Sequence, residues 1–419
     1  MIQHRNEAFF MKQREYPIVT LSPKGEKAAK SGHPWVYGEE IRSVQGGPEN
    51  GGLVDVCTQS GAYLGTGFYN DHSKITVRIF SRNANDRFDR NFWRRRLEYA
   101  VDYRRTVMAG GDFSCCRLIH GEADQFPGLT VDRYNDLLVT ETLCLGMDQR
   151  KDLLFPELVS VLEDSGEHIS GIYQRDESGI RVLEGLEQGK GWYTLPDRPV
   201  PASPLTEICE NGVRYHVDVE NGQKTGFFLD QKYNRQAVAR LARGRSVLDC
   251  FTHTGSFGLN AALGGARQVT CVDISEDAVR MAEENARLNG LEDRISFQVA
   301  NVFDLLTELY EKRDRTYDFI ILDPPAFTKS RQTVRNASRG YKEINMKAMK
   351  LLPRGGYLAT CSCSHFMTDE KFREMLRSAA QDAQVSLRQI EARQQAPDHP
   401  ILWNVPETGY LKFYLFQVV

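Results

Sequence analysis

Two strand-ending segments hold the residues of this chain best suited to covalent chemistry. Gly356-Tyr357-Leu358-Ala359-Thr360-Cys361-Ser362-Cys363-Ser364 reads as a β-strand running into a Ser-Cys-Ser turn, and Leu322-Asp323-Pro324-Pro325-Ala326-Phe327 ends an earlier one. A thiolate is a strong nucleophile. Beside a carboxylate at the end of a neighbouring strand, it is suited to attack carbon 6 of a pyrimidine, which turns the otherwise unreactive carbon 5 into a nucleophile. Considered alone, a cysteine after a strand is more often a small buried residue. Cys361, two residues before Cys363, is the rival candidate.

The two prolines after Asp323 stiffen the loop and remove amide donors, leaving a fixed carboxylate and carbonyls free to face a base edge. In enzymes that methylate exocyclic amines, an aromatic residue follows such prolines directly; here Ala326 intervenes before Phe327, which argues against amine methylation.

A second constellation lies upstream. Val247-Leu248-Asp249-Cys250-Phe251-Thr252-His253-Thr254-Gly255-Ser256-Phe257 reads as a strand, a Gly-containing turn and a helix start, which brings backbone amides to a ligand at the strand's carboxyl end. Asp273 ends the next strand, 18 residues beyond Gly255, where a carboxylate can hold ribose hydroxyls. A complete Gly-x-Gly-x-x-Gly is absent, against a nicotinamide dinucleotide. The pattern resembles the S-adenosylmethionine site of class I methyltransferases instead, with Asp249, Phe251, Thr254, Gly255, Asp273 and Asp323 as expected cofactor neighbours.

The elements that position these residues follow from hydrophobic patterning. Ser246–Asp249, Gln268–Asp273, Phe319–Asp323 and Gly356–Thr360 are short apolar runs. They alternate with helical segments such as Asp277–Asn289, as in a parallel doubly wound α/β sheet. Residues 17–85 alternate over short runs with dense Gly turns, which predicts a small β-barrel. Residues 91–108 form an arginine-rich helical pattern, and 113–195 a small α+β region with strands near Arg117–His120, Thr130–Tyr134, Leu137–Leu143 and Gly171–Arg175. Leu195–Pro204, with four prolines, reads as a linker. The expected division is an extension at 1–16, an RNA-binding barrel at 17–88, a central α+β domain with linker at 89–205, and the cofactor domain at 206–419.

Composition narrows the setting. The 419 residues suit two or three domains. No run approaches a membrane span and the start lacks a signal-like apolar stretch, so a cytoplasmic protein is expected. Nine cysteines without a Cys-x-x-Cys pair fit neither a disulfide framework nor a zinc site, and most, including Cys57, Cys144 and Cys271, are expected to be buried. Net charge is −3, but residues 1–110 carry 17 Lys/Arg against 12 Asp/Glu. A basic amino-terminal part on an acidic remainder fits RNA binding at one end. An arginine-rich helix is, however, more often a solvated face.

The chain as a whole resembles the bacterial large-subunit ribosomal RNA cytosine-C5 methyltransferases that carry an amino-terminal PUA domain. The residues that carry the resemblance are Leu21–Lys27 with Gly32–Val36, Arg117–Asp124 with Phe126–Arg133, Gln223–Gln231 with Asn234-Arg235, Arg339–Asn345 and Asp398-His399-Pro400. The resemblance implies a class I methyltransferase fold, S-adenosylmethionine as cofactor, and Cys363 rather than Cys361 as nucleophile, with Asp323 beside it. It adds Lys224, Thr225, Gly226 and Phe228 as cofactor-pocket residues and Asn301 at a position usually held by Asp. Lys24, Arg94, Arg95, Phe327, Arg339, Tyr341 and Lys342 become expected RNA contacts. The implied partner is large-subunit rRNA, unfolded or in an assembly intermediate, with a homodimer allowed and neither metal nor membrane involved. Many relatives carry a second cysteine after the Asp-Pro pair; here Ala326 stands in that region, which leaves the base for the carbon-5 proton unassigned. Two other functions compete: methylation of a base nitrogen such as guanine's, and a non-catalytic RNA-binding assembly factor.

Overall fold

Four β-sheets follow the hydrophobic patterning along the chain. The computed structural model describes residues 14–108, 110–196, 198–328 and 334–419, so most of the expected 1–16 extension lies outside the described residues. The first sheet has six strands, in the order Trp35–Tyr37, Ile75–Ser81, Tyr63–Tyr69, Leu53–Cys57, Ile18–Leu21 and Ile41–Gln45. Four of its five pairings contain a register shift, which bends strands, and the six enclose a core of Val19, Leu21, Val54, Val56, Val77 and Ile79.

The helix Arg90–Val107, N-capped by the Asp89 side chain, buries Phe92, Trp93, Leu97, Ala100 and Val101 against the second sheet. That sheet orders Gly189–Tyr193, Gly171–Asp176, Leu137–Thr142, Leu129–Tyr134 and Cys115–His120. The Pro-rich segment after it has no regular structure, yet Arg198 ties it down to Glu163 and to the Ile169 carbonyl. A hairpin, Leu205–Glu210 with Val213–Asp218, follows.

The last sheet has seven strands: Ile295–Val299, Gln268–Asp273, Ser246–Cys250, Phe319–Leu322, Tyr357–Ser362, Lys412–Val418 and Leu387–Arg393. All neighbours pair in parallel up to Tyr357–Ser362, and Lys412–Val418 is antiparallel to both of its neighbours. Ser246–Cys250 and Phe319–Leu322 are buried along their whole length, which is why they read as continuous apolar runs. Pro324 and Pro325 cannot donate to a ladder, and the strand stops before them.

Buried charges lock the parts together. Arg78 reaches Glu122 and Glu184 from the first sheet, and Trp35 donates its indole N–H to Glu122. Arg104, fully buried, holds the Asp124 carboxylate with both terminal nitrogens, one of which also donates to the Asp398 carbonyl. Among the described residues no helix is long and apolar enough to cross a membrane.

Candidate active site

The sheet reverses its order between Ser246–Cys250 and Phe319–Leu322, because the chain first builds outward through Gln268–Asp273 and Ile295–Val299 and then returns to the other side. A crevice at the carboxyl ends of these strands is the usual ligand site of open α/β sheets. Asp249, Asp273, Asp323 and Cys363 all stand at or just past those ends.

One half of the crevice holds the Phe251–Gly255 loop with the carboxylates of Asp249 and Asp273. Phe251, His253 and Gly255 all have positive φ, at 63°, 52° and 81°. Two of these are non-glycine residues in a sparsely populated conformation, which the surrounding structure must hold in place. At Gly255 a Cβ would also stand 3.0 Å from the Ala282 Cβ. Asp273 accepts from the backbone N–H of His253 at 2.9 Å and of Ser275 at 3.0 Å, which fixes its carboxylate. Asp249 is fully buried and accepts from Gly258 N–H at 2.8 Å and from the Thr252 hydroxyl. Burial pushes its carboxyl up to about 7, with the charges of Asp323 and Asp273 adding to the effect. Its Oδ1 and the Thr254 hydroxyl are buried without a hydrogen-bond partner among the described residues. Orphaned polar atoms beside a fixed carboxylate are what an absent hydrogen-bonding ligand would satisfy. Burial also pushes His253 down to about 4, so its ring is neutral at pH 7, and Phe228 meets it edge-on at 5.2 Å. Asn301 caps the helix Val302–Glu311, its side-chain oxygen accepting from Phe303 N–H at 2.9 Å.

The other expected cofactor neighbours sit lower in the frame. Thr225 is buried, donates its hydroxyl to Asp132 and lies 3.0 Å from the Tyr134 hydroxyl, both in the central sheet. Gly226, at φ 132°, passes so close to Val217 that a Cβ would approach its Cγ1 to 2.8 Å. Lys224 is exposed with a positive φ.

The other half of the crevice centres on Asp323 and Cys363. Gln231 donates its amide to Asp323 Oδ1 at 3.0 Å, and Asn234 donates to Gln231 at 2.6 Å. Burial, followed by the charge of Asp230, pushes the Asp323 carboxyl up to about 7. Asp230 is itself held by the Tyr410 hydroxyl at 2.7 Å. Cys361 is fully buried, its thiol against Asp323 and Gln231, whereas Cys363 is half-buried at the strand end. Seven of the nine cysteines are buried, Cys57, Cys144 and Cys271 among them, as expected. Burial and the charges of Asp323 and Asp230 push the Cys363 thiol up to about 12, while Lys412 draws it down.

Phe327 joins an aromatic run, 4.6 Å from Tyr341, 5.7 Å from Phe303 and 6.4 Å from Phe251. Tyr341 is wholly buried, with its hydroxyl 3.1 Å from that of Ser362, so it supports Phe327 instead of presenting a surface. Of the remaining expected RNA contacts, Arg95 and Arg339 are exposed. Lys24 pairs with Glu39 at 2.7 Å, Lys342 with Asp382 at 2.7 Å, and Arg94 with Glu98, Glu157 and Asp164.

Gln231, Asp230, Tyr410 and Lys412 join this site without having been singled out from sequence. Gln231 and Asp230 lie inside the Gln223–Gln231 signature, so a signal existed. Tyr410 and Lys412 arrive through the antiparallel pairing of Lys412–Val418, which no short motif announces.

The S-adenosylmethionine-dependent methyltransferase family model matches residues 199–417, and a PUA-like domain model matches residues 19–82. The chain is 40% identical over 402 residues to the protein named ribosomal RNA large subunit methyltransferase I of Shewanella denitrificans, covering 96% of this chain and 99% of that one. It is 39% identical over 388 residues to the protein of the same name from Aeromonas hydrophila, covering 92% and 96%. Among solved structures, a proposed SAM-dependent methyltransferase from Streptococcus mutans superposes with a TM-score of 0.79 at 21% identity, covering 96% of this chain and 100% of that one. A proposed methyltransferase complexed with SAH superposes at 0.80 and 21% identity, covering 96% and 99%. These two share the fold.

Proposed function

The chain belongs to the S-adenosylmethionine-dependent methyltransferase family, and from that premise we propose that it methylates carbon 5 of a cytosine in large-subunit ribosomal RNA. The observation that carries this reading is the adjacency of Cys363 and Asp323 at the ends of neighbouring parallel strands. The names of its relatives support the RNA class.

Bound S-adenosylmethionine supplies an electrophilic methyl group at a sulfonium. Asp273 and the Phe251–Gly255 loop would hold the ribose and amino-acid parts, and Asn301 would offer an acceptor to the adenine amine. Cys363 adds through its sulfur to carbon 6 of the base, so that electron density builds on carbon 5. Asp323, close to half-protonated near pH 7, donates to the ring as the thiolate adds. Once carbon 5 carries the methyl, its proton leaves to a base and that C–H pair re-forms the ring double bond. The carbon 6–sulfur pair returns to sulfur, and Asp323 takes its own proton back. A stacked base hides carbon 6, so the substrate is RNA that is unpaired or not yet folded.

RNA containing 5-fluorocytosine tests the reading, because fluorine cannot leave as a proton and the adduct persists. A denaturant-stable protein–RNA complex is expected with the wild type and none with Cys363→Ala. Full methyl transfer by Cys363→Ala, or methyl groups found only on guanine nitrogens, would overturn it.

A further inference from the structure

Burying a charged group without a counter-ion is costly, and folded chains almost always supply one. Among the buried lysines and arginines of the described residues, one departs from this rule. Buried Arg78, Arg104, Arg133, Arg181, Lys232 and Arg235 each have a carboxylate within 4 Å. Lys412, only 7% exposed, has none. Its ammonium donates instead to two neutral carbonyls, Ser364 at 2.6 Å and Tyr410 at 2.7 Å. An ammonium has three hydrogens, so one remains for another acceptor.

The hydrogen bond to Ser364 places that remaining hydrogen next to the Cys363 turn. Lys412 pairs directly with Ser362 across the antiparallel ladder, and its Nζ is held on the carbonyl of the residue after Cys363. The Nζ is therefore pinned beside the turn that presents the thiol. Other charges act on the two groups. Asp323 and Asp230 face Cys363 and oppose a thiolate, and Asp369 acts on Lys412 but takes a hydrogen bond from Tyr414 instead.

We propose that Lys412 is the counter-ion of the Cys363 thiolate, a positioning residue that offsets the charge on sulfur as the thiolate forms. The inference rests on Cys363 being the nucleophile of the proposed function. The step is one proton transfer: the S–H bond of Cys363 breaks, its electron pair stays on sulfur, and the proton bonds to Nζ. Thiol plus amine and thiolate plus ammonium carry the same net charge, so the exchange adds no uncompensated charge to the site. Burial supports the role, since it draws Lys412 down to about 8, within reach of the amine form at working pH. Without the lysine, Cys363 would face two carboxylates with no cation to offset them.

The test is the pH dependence of Cys363 carboxymethylation by iodoacetate on the full-length protein, read on the Cys363 peptide by mass spectrometry. Lys412→Met should slow the reaction at pH 7.5 about tenfold and move its midpoint up by about one pH unit. Lys412→Arg should stay within about threefold of the wild type, because the cation is kept. A Met variant that unfolds at the wild-type midpoint and still follows the wild-type profile would overturn the proposal. The reciprocal measurement needs no lysine variant. Removing the thiolate in Cys363→Ser should lower the pH midpoint of Lys412 acetylation, and an unchanged midpoint would also overturn it. Neither readout involves RNA, so a failure of the cytosine reading would be seen separately, as methyl transfer surviving in Cys363→Ala.

Discussion

The Gln231 side-chain amide donates to Asp323 Oδ1 at 3.0 Å, which joins the segment ahead of the cofactor sheet to the carboxylate at its centre. Asn234 donates in turn to Gln231, so the donor cannot rotate freely. The bond favours the carboxylate form and opposes the upward pull of burial. Gln231→Leu should therefore raise the Asp323 carboxyl above about 7. If that acid donates to the base, the alkaline limb of single-turnover methylation should move to higher pH, while the rate falls about tenfold as the carboxylate loses its orientation. An alkaline limb that stays in place would remove Asp323 from the acid role.

Asp249 offers a case where stability and function diverge. Its carboxyl sits at about 7 in the fold against an ordinary value of 3.8. A carboxyl raised by folding binds its proton more tightly in the native state, so native stability falls as pH rises from about 4 to 7 and stays reduced above that. Asparagine keeps the acceptor oxygen for Gly258 and Thr252 without the charge. Asp249→Asn should raise the stability at pH 8 by about 2–4 kcal/mol and leave it nearly unchanged at pH 4. It should also weaken S-adenosylmethionine binding. Thermal unfolding at the two pH values, with calorimetric titration of the cofactor, checks both.

The parts legible in the sequence are those whose signal is local. The strand ends at Asp249, Asp273, Asp323 and Cys363 were readable because a fully buried parallel strand is a short apolar run that stops at Gly, Pro or Asp. The arginine-rich helix was readable as a helix but not in its role. Which arginines face solvent depends on carboxylates far along the chain, such as Glu157 and Asp124. Tyr341 fell in a matching motif as an RNA contact, yet its position on the helix Val334–Leu351 faces the core. Lys412 was invisible for a topological reason: the last strand inserts between two earlier ones, so Lys412 pairs with Ser362, far upstream in the chain.

Arg235 and Glu210 form a doubly hydrogen-bonded pair, both fully buried, and Arg235 also donates to the Phe228 carbonyl at 2.7 Å. The pair thus fixes the backbone that carries Phe228 and Asp230 towards the crevice. Arg235→Leu leaves Glu210 without a partner and should cost about 3–5 kcal/mol, whereas replacing both residues with apolar ones should cost much less. Urea midpoints of the single and double variants give the comparison. Equal losses in both would show that the Phe228 carbonyl contact, and not the stranded charge, is what matters.

Arg94 and Arg95 are adjacent in sequence and should behave oppositely. Arg94 neutralises Glu157, whose side chain is 2% exposed, and also meets Asp164 and Glu98. Arg90 shares Glu157, so losing Arg94 does not leave that carboxylate wholly unpaired. Arg94→Ala should lower stability by about 1–2 kcal/mol and change RNA affinity only through folding. Arg95 is exposed and has no ion pair among the described residues, so Arg95→Ala should leave stability within about 0.5 kcal/mol. If the helix meets phosphates, that variant should bind rRNA fragments more weakly and reduce the slope of log affinity against log salt by about one. A slope unchanged in Arg95→Ala, with the fold intact, would take this helix out of the RNA-binding surface.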